Sequence, residues 1–345
     1  VKNHRRSLTL ALSLAAALAT SAAHAQRRPT VAQRVTNAMQ RCDTDAPREC
    51  VRAIDALPAA SRRAAALQSL SLRARFELLG VALEPDGARA LDAARRAELN
   101  RIDRAVTELT DRDGSQGIAW LLRGRIALVR NALDASATAL ERAAALLTRD
   151  PSPSNDLAMV LVALRRLPDA ERALTRATTL APNDAEPWSN LGGVRLARGN
   201  AQSAATAFRE AIRCAPTVAR HSSDLGSALL AAGQAEPAAR AFGDAVRIAP
   251  TDPVVRANLG YALAVANRLD DALAELRRAT ELGPRSSAAW NNLAIVLSRR
   301  GDSAGAETAL RRALEIDPND ARARANLDAL LASRRPTVIA ADAGR

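Results

Sequence analysis

The stretch AEPWSNLGGVRLARGNAQSAATAFREAIRCAPTV, residues 185–218, carries near its end a proline that recurs along the chain. Pro182, Pro216, Pro250, Pro284 and Pro318 stand 34 residues apart, and a constant period of this length marks a repeat architecture. Within the stretch, Trp188, Leu191, Gly192 and Arg195 share one face of a first helix, and Ala204, Phe208 and Ala211 share one face of a second. Gly192 and Ala204 are small, so the two helices are expected to approach closely there. A hairpin of this kind has one apolar face more than it can bury alone and must stack on its neighbours.

Local chemistry explains the breaks. Gly199, Gly233 and Gly301 follow the first helix of their units, where a left-handed residue ends a helix at little cost, and Asn267 takes that place in another. Each proline follows the second helix and forbids its extension. Beyond it, Asn183 or Asp184, Asp252 and Asp320 are placed to cap the next first helix.

Trp188-x-x-Leu191-Gly192, then Ala204-x-x-x-Phe208, Ala211 and Pro216 resemble the tetratricopeptide (TPR) pattern nearly position for position. The following units repeat it with Leu225, Gly226, Ala238, Phe242, Ala245 and Pro250; with Leu259, Gly260, Ala272, Leu276, Ala279 and Pro284; and with Trp290, Leu293, Ala306, Leu310, Ala313 and Pro318. Upstream, Trp120 and Gly124 open the register over 117–150, with Thr148 in place of the proline, and Leu157, Ala158, Leu161, Ala170, Leu174, Ala177 and Pro182 continue it. The resemblance implies an all-α fold, an α-solenoid in which stacked 34-residue helix-turn-helix units form a right-handed superhelix. About six repeats are expected over residues 117–320, followed by a capping helix over 321–335 made polar by Arg322, Arg324 and Arg334, and a loose tail over 336–345.

The N-terminal part lies outside the repeat. Lys2, Arg5 and Arg6 precede an apolar run from Leu8 to Ala19 and then Ala23-His24-Ala25, the arrangement of a secretory signal peptide over residues 1–25, cleaved after Ala25. The run is too short for a spanning helix, which needs roughly 20 apolar residues. A first residue Val1 is what a non-ATG bacterial start codon gives and hints at a bacterial source only; the signal peptide makes the expected location periplasmic or secreted, with membrane contact only through the cleaved segment. Residues 26–116 are helical in pattern and possibly degenerate repeats: a helix over Val31 to Arg41, a loop from Cys42 to Cys50, a helix over Ser61 to Leu79, and a helical run from Pro85 to about Thr110 that could hide a hairpin. Leu99, Ile102, Val106 and Leu109 give that run a buried stripe. In an exported protein, Cys42 and Cys50 read as a disulfide rather than as a metal or redox pair.

Charge excludes less than it suggests. Of 49 basic residues only Lys2 is lysine, and removing Lys2, Arg5 and Arg6 lowers the formal net charge from +12 to +9. The arginines are spread among acids and only 2 % of residues are aromatic, so a nucleic-acid partner is not expected and a solvated Arg/Asp/Glu exterior is. Beyond His4 and His24 the only histidine is His221, read as a solvated residue at a helix start, so neither a triad nor a His/Cys metal centre can be assembled. Cys214 reads as a small buried hydrophobe. Gly192 and Gly193 lie inside a helix and form no phosphate loop. No catalytic residue, metal, cofactor or small-molecule substrate is expected.

What remains is a surface. In proteins of the resembled family the first helices line a concave groove that takes peptides or partner helices. Mapping its places onto this sequence gives Asn155, Met159 and Val162; Glu186, Ser189, Gly193 and Leu196; Arg220, Ser223, Ser227 and Leu230; Val254, Tyr261 and Val265; and Asn291, Ile295 and Arg299. The Lys/Asn/Arg set by which chaperone-binding relatives clamp a C-terminal carboxylate is missing. Just before the signature leucine stand Asp156, Asn190, Asp224, Asn258, Asn292 and Asn326. An amide both donates and accepts, so this column either reads an extended partner backbone or bonds its own scaffold. The expected function is a non-enzymatic adaptor for a protein or peptide partner, in envelope assembly, secretion or maintenance. The alternative is a structural or self-associating module without client binding.

Overall fold

A computed structural model describes residues 29–42 and 46–333. The expected signal peptide and C-terminal tail lie outside the described residues. The described residues are helical, without strands, and the chain divides into two compact units, 1–181 and 182–345.

Unit 1 begins with α1 (Val31–Cys42), α2 (Pro47–Asp55), α3 (Ala59–Arg62) and α4 (Ala65–Glu77). The Cys42–Cys50 disulfide, with Cα atoms 4.5 Å apart, joins the end of α1 to the first turn of α2. The expected loop from Cys42 to Cys50 is therefore half helix. Pro47 occupies the first turn and Glu49 complements its dipole, both helix-start signals. The helix expected over Ser61 to Leu79 is broken at Arg63 and Ala64, which allows Leu67, Leu70 and Ala74 to pack with Val35, Ala38, Cys50, Ile54 and Leu57. A short 3₁₀ turn (Gly87–Ala90) precedes α5 (Ala93–Arg112), capped by Asp92, whose side chain accepts from the Arg95 amide at 2.8 Å. The run hides no hairpin: α5 is one continuous helix that buries Leu99, Ile102, Val106 and Leu109.

Two hairpins complete unit 1: α6 (Gly117–Val129) with α7 (Leu133–Leu146), and α8 (Ser152–Ala163) with α9 (Leu167–Leu180). Unit 2 repeats the arrangement with α10 (Ala185–Ala197) and α11 (Ala201–Cys214), α12 (Ala219–Ala231) and α13 (Ala235–Ile248), α14 (Pro253–Val265) and α15 (Leu269–Leu282), α16 (Ser287–Arg299) and α17 (Ser303–Ile316), closed by α18 (Ala321–Ser333). From α6 on, within each unit, each helix packs on the next, the stacking of an α-solenoid. One core of alanines, leucines and phenylalanines runs from Ala204 to Leu330 through unit 2.

Three features of the repeat follow from named atoms. First, a Cβ on Gly192, Gly226 or Gly260 would lie 2.5–2.7 Å from Phe208, Phe242 or Leu276. The close approach is thus made by a large side chain of the second helix lying over the glycine, not by Ala204 or Ala238. Second, the break inside each hairpin is left-handed in every repeat. Gly199, Gly233, Gly301 and Asn267 are joined by Asn131 and Arg165 at φ 61° and 60°. Third, the signature tryptophan serves as a donor. Trp188 Nε1 donates to the Pro182 carbonyl at 3.1 Å and Trp290 Nε1 to that of Pro284 at 3.1 Å. Where the tryptophan is replaced, Arg256 Nε and Arg324 Nη2 donate to the Pro250 and Pro318 carbonyls at 2.8 and 3.0 Å. Trp and Arg exchange because each carries an N–H that reaches six residues back.

The caps form as expected at Asp184, Asp252 and Asp320, and Ser286 adds another. α18 ends the core with Arg324 and Asp328, both exposed, at the places of Trp290 and Ala294. On the surface the arginines pair with acids three residues away, as Arg172 with Asp169, Arg213 with Glu210 and Arg278 with Glu281, at 2.6–2.8 Å. Such exposed pairs are screened by water and add little to stability.

Candidate functional site

In unit 2 the first helices carry the candidate positions. On α14, Val254, Tyr261 and Val265 are 61 %, 43 % and 50 % exposed. With Asn258 they are spaced four, three and four residues apart, so they form one stripe on one helical face. An apolar stripe that the fold leaves in water is the exception among residues of this type. The neighbouring helices are lower: Ser189 is half-buried and Gly193 exposed on α10, and Arg220 and Ser227 are exposed and Ser223 half-buried on α12. Gly193 differs from Gly192 in that a Cβ there would meet nothing within 4 Å. On α16, Ile295 is half-buried, whereas Arg299 is tied down, donating to the Asn267 side-chain oxygen at 2.9 Å and to the Ala264 carbonyl.

Two expected wall residues are not on the wall. Asn291 is 7 % exposed and accepts from Asn326 Nδ2 at 2.8 Å, and Asn155, in unit 1, is 8 % exposed. Each lies three residues before a buried alanine, Ala294 or Ala158, and so turns inward with it. Met159, beside Asn155 on α8, is 45 % exposed.

The polar column divides into bonded and unbonded members. Asp156 accepts from Arg125 Nε at 2.6 Å in a buried ion pair, in which burial pushes the carboxyl above its usual range and Arg125 draws it back. Asp224 pairs with Arg220 at 3.5 Å, again with burial raising the carboxyl and Arg220 opposing it. Asn326 bonds Asn291, and Asn190 also has a partner of its own. Asn258 and Asn292 are the remaining two. Both are half-buried, on adjacent first helices, and neither side chain has a hydrogen-bond partner among the described residues. The scaffold alternative thus accounts for four places of the column and not for these two.

Two further expectations are corrected. His221 is not solvated but 8 % exposed, because the third residue of each first helix faces the core. Cys214 is only half-buried, its Sγ 3.6 Å from the Pro182 carbonyl that Trp188 also reaches. In unit 1 a cavity of about 260 Å³ is lined by Ile54, Arg62, Gln68, Glu108 and Arg112, among others, with Arg112 Nη2 donating to Gln68 Oε1 at 2.7 Å. Sequence reasoning singled out nothing there, since its polar residues come from separate helices without a periodic signal. Among the described residues no three His, Cys, Asp or Glu side chains converge as a metal site, and no helix is long and apolar enough to cross a membrane.

The sequence profile of the tetratricopeptide repeat matches residues 155–219, 196–253 and 257–321. No curated protein matches the chain. Among solved structures, the C-terminal part of a TPR repeat-containing protein from Cytophaga hutchinsonii is 14 % identical with a TM-score of 0.57, over 74 % of this chain and 99 % of that one. The APC/C hetero-tetramer Cut9–Hcn1 contains a chain that is 17 % identical with a TM-score of 0.50, over 87 % and 56 %. YrrB, described as a TPR protein with an unusual peptide-binding site, is 24 % identical with a TM-score of 0.47, over 55 % and 97 %.

Proposed function

We propose that this chain, whose residues 155–321 are tetratricopeptide repeats, is an exported, non-enzymatic adaptor that holds an extended peptide or protein segment against the first helices of unit 2. Repeats of this kind serve protein–protein interaction, and stacked hairpins offer an extended face on which a partner's chain can lie. The observation that carries the proposal is the α14 stripe. Val254, Tyr261 and Val265 stand in water beside Asn258, an amide with no partner, and Asn292 repeats that amide on the next first helix. The apolar side chains supply contact area for a partner's side chains, and the two amides a donor and an acceptor each for its backbone.

Export rests on the basic and apolar N-terminal segment and on the Cys42–Cys50 disulfide, a bond that persists in oxidising compartments. A role in envelope assembly, secretion or maintenance follows from that location and from the adaptor reading together.

A photo-crosslinking residue at position 261, with a control at the exposed Asp244 of α13, tests the site in envelope extract. One protein segment joined at 261 and not at 244 is the expected result. Adducts at 244 alone would overturn the placement on α14, and adducts between copies of the chain alone would favour the self-associating module.

A further inference from the structure

The third residue of each first helix faces the core. It is Ala119, Pro187, Val255, Ala289 or Ala323, with Pro153 at the same place of the 34-residue register in α8, all buried, except in α12, where it is His221. The next residue departs as well: Ser222 stands where Trp188, Arg256, Trp290 and Arg324 stand and, unlike them, sends no side-chain N–H to the carbonyl six residues back. A buried imidazole thus replaces, at one joint, the apolar residue found at the others, and Ser222, like Ser154 at the same place in α8, carries no long donor. His221 Nδ1 is buried with no hydrogen-bond partner, and among the described residues it is the only side-chain N or O atom in that condition.

The surroundings favour the neutral ring. Two charged groups act on it, both from α12 itself: Asp224, which favours the cation, and Arg220, which opposes it and is paired with Asp224 at 3.5 Å. No charged group of α10, α11, α13 or α14 contributes. Burial is the largest influence, and it holds the imidazole below the ordinary 6.5. An imidazolium here would be a buried cation whose one acidic neighbour is already engaged.

We propose that the joint between α11 and α12 is an acid-labile hinge: when His221 is protonated, the first turn of α12 parts from α11 while the equivalent joints at Val255 and Ala289 stay closed. The hinge is independent of the groove reading, since it rests on the core face of α12. Its sign follows from linkage. The open state takes up the proton more readily than the closed one, so closure is fully stable above the ordinary value of 6.5 and weakens as pH falls below it. Within that window each pH unit shifts the opening equilibrium by up to about tenfold.

Hydrogen exchange of the full chain at about pH 7.5, about 6.5 and about 5.5, corrected for intrinsic rates, reads the hinge directly. In the natural protein, protection of Ala219–Ala231 is expected to fall by up to about fivefold between the two lower pH values relative to Ser287–Arg299. His221→Ala and His221→Val, which install the residues found at Ala289 and Val255, are expected to abolish that relative fall. If α12 and α16 lose protection in parallel in the natural protein, or if the variants keep the fall, the hinge is refuted. Should either variant fail to fold, the comparison within the natural protein decides by itself.

Discussion

Gly192 and Gly193 are neighbours in α10, yet the same substitution at each should act in opposite directions. A methyl at Gly192 would stand 2.6 Å from Phe208 Cε1, 2.7 Å from Cδ1 and 2.8 Å from Cζ, well inside carbon–carbon contact. Phe208 is 3 % exposed, so its ring cannot turn away without moving the core. Overpacking of this kind costs about 1–3 kcal/mol. Replacing a helical glycine by alanine returns about 1 kcal/mol. Gly192→Ala is therefore expected to destabilise by up to about 2 kcal/mol, the difference of those two effects. At Gly193 a Cβ meets nothing within 4 Å, so only the helix-propensity gain remains. Gly193→Ala should stabilise by about 0.5–1 kcal/mol. Because repeat arrays can unfold in parts, urea unfolding of the full chain should be read together with exchange of the α10 amides. A Gly192→Ala protein more stable than the natural one would refute the ring-over-glycine packing. Equal destabilisation by both variants would refute the open wall at Gly193.

Other expectations follow from single residues. Arg165 holds a left-handed conformation at φ 60° where other repeats carry glycine, so Arg165→Gly should stabilise by about 1 kcal/mol, read as a shift of the urea midpoint. Arg125→Ala strands the buried Asp156 carboxylate and should cost about 3–5 kcal/mol, whereas Arg125→Met with Asp156→Leu should cost far less by the same measurement. The Asp320 carboxyl is held below its usual value first by the Ser287 hydroxyl, which donates to it at 2.5 Å, and then by the Ala323 and Arg322 amides. Its folded value is depressed, so its contribution is present above the ordinary 3.8 and is lost as pH falls through the folded value. Asp320→Ala should therefore cost about 1 kcal/mol at neutral pH and progressively less in acid, measured by thermal melting across that range.

Much of the repeat was legible because its signals are backbone constraints. A proline that forbids helix and a glycine that permits a left-handed turn act through their own geometry, and both recur every 34 residues. Arg165 at the same turn was not legible, since arginine does not favour φ > 0, whereas Asn131 could be read as Asn267 is. The exchange of Trp for Arg at positions 256 and 324 was hidden because the shared property is one N–H rather than size or polarity. In the N-terminal part no glycine or proline marks the break at Arg63, which only packing onto α1 and α2 explains. Pro47 and Glu49 did signal a helix that a loop reading passed over. Of the candidate site, the positions on first helices could be counted along the chain. Which amides remain unbonded could not, because Asp156 and Asn326 are satisfied by Arg125 and Asn291 from other helices; only Asp224, four residues after Arg220, shows its partner in the sequence.

A partner segment is expected to lie on α14 and α16. The most direct test of this placement is the affinity of one peptide, selected from a random library on the full chain, for the natural protein, for Tyr261→Ala and for Asn258→Ala with Asn292→Ala, with melting temperatures alongside. Each variant is expected to bind at least about tenfold more weakly, roughly 1.4 kcal/mol, with melting unchanged. Undiminished affinity in both variants would contradict it.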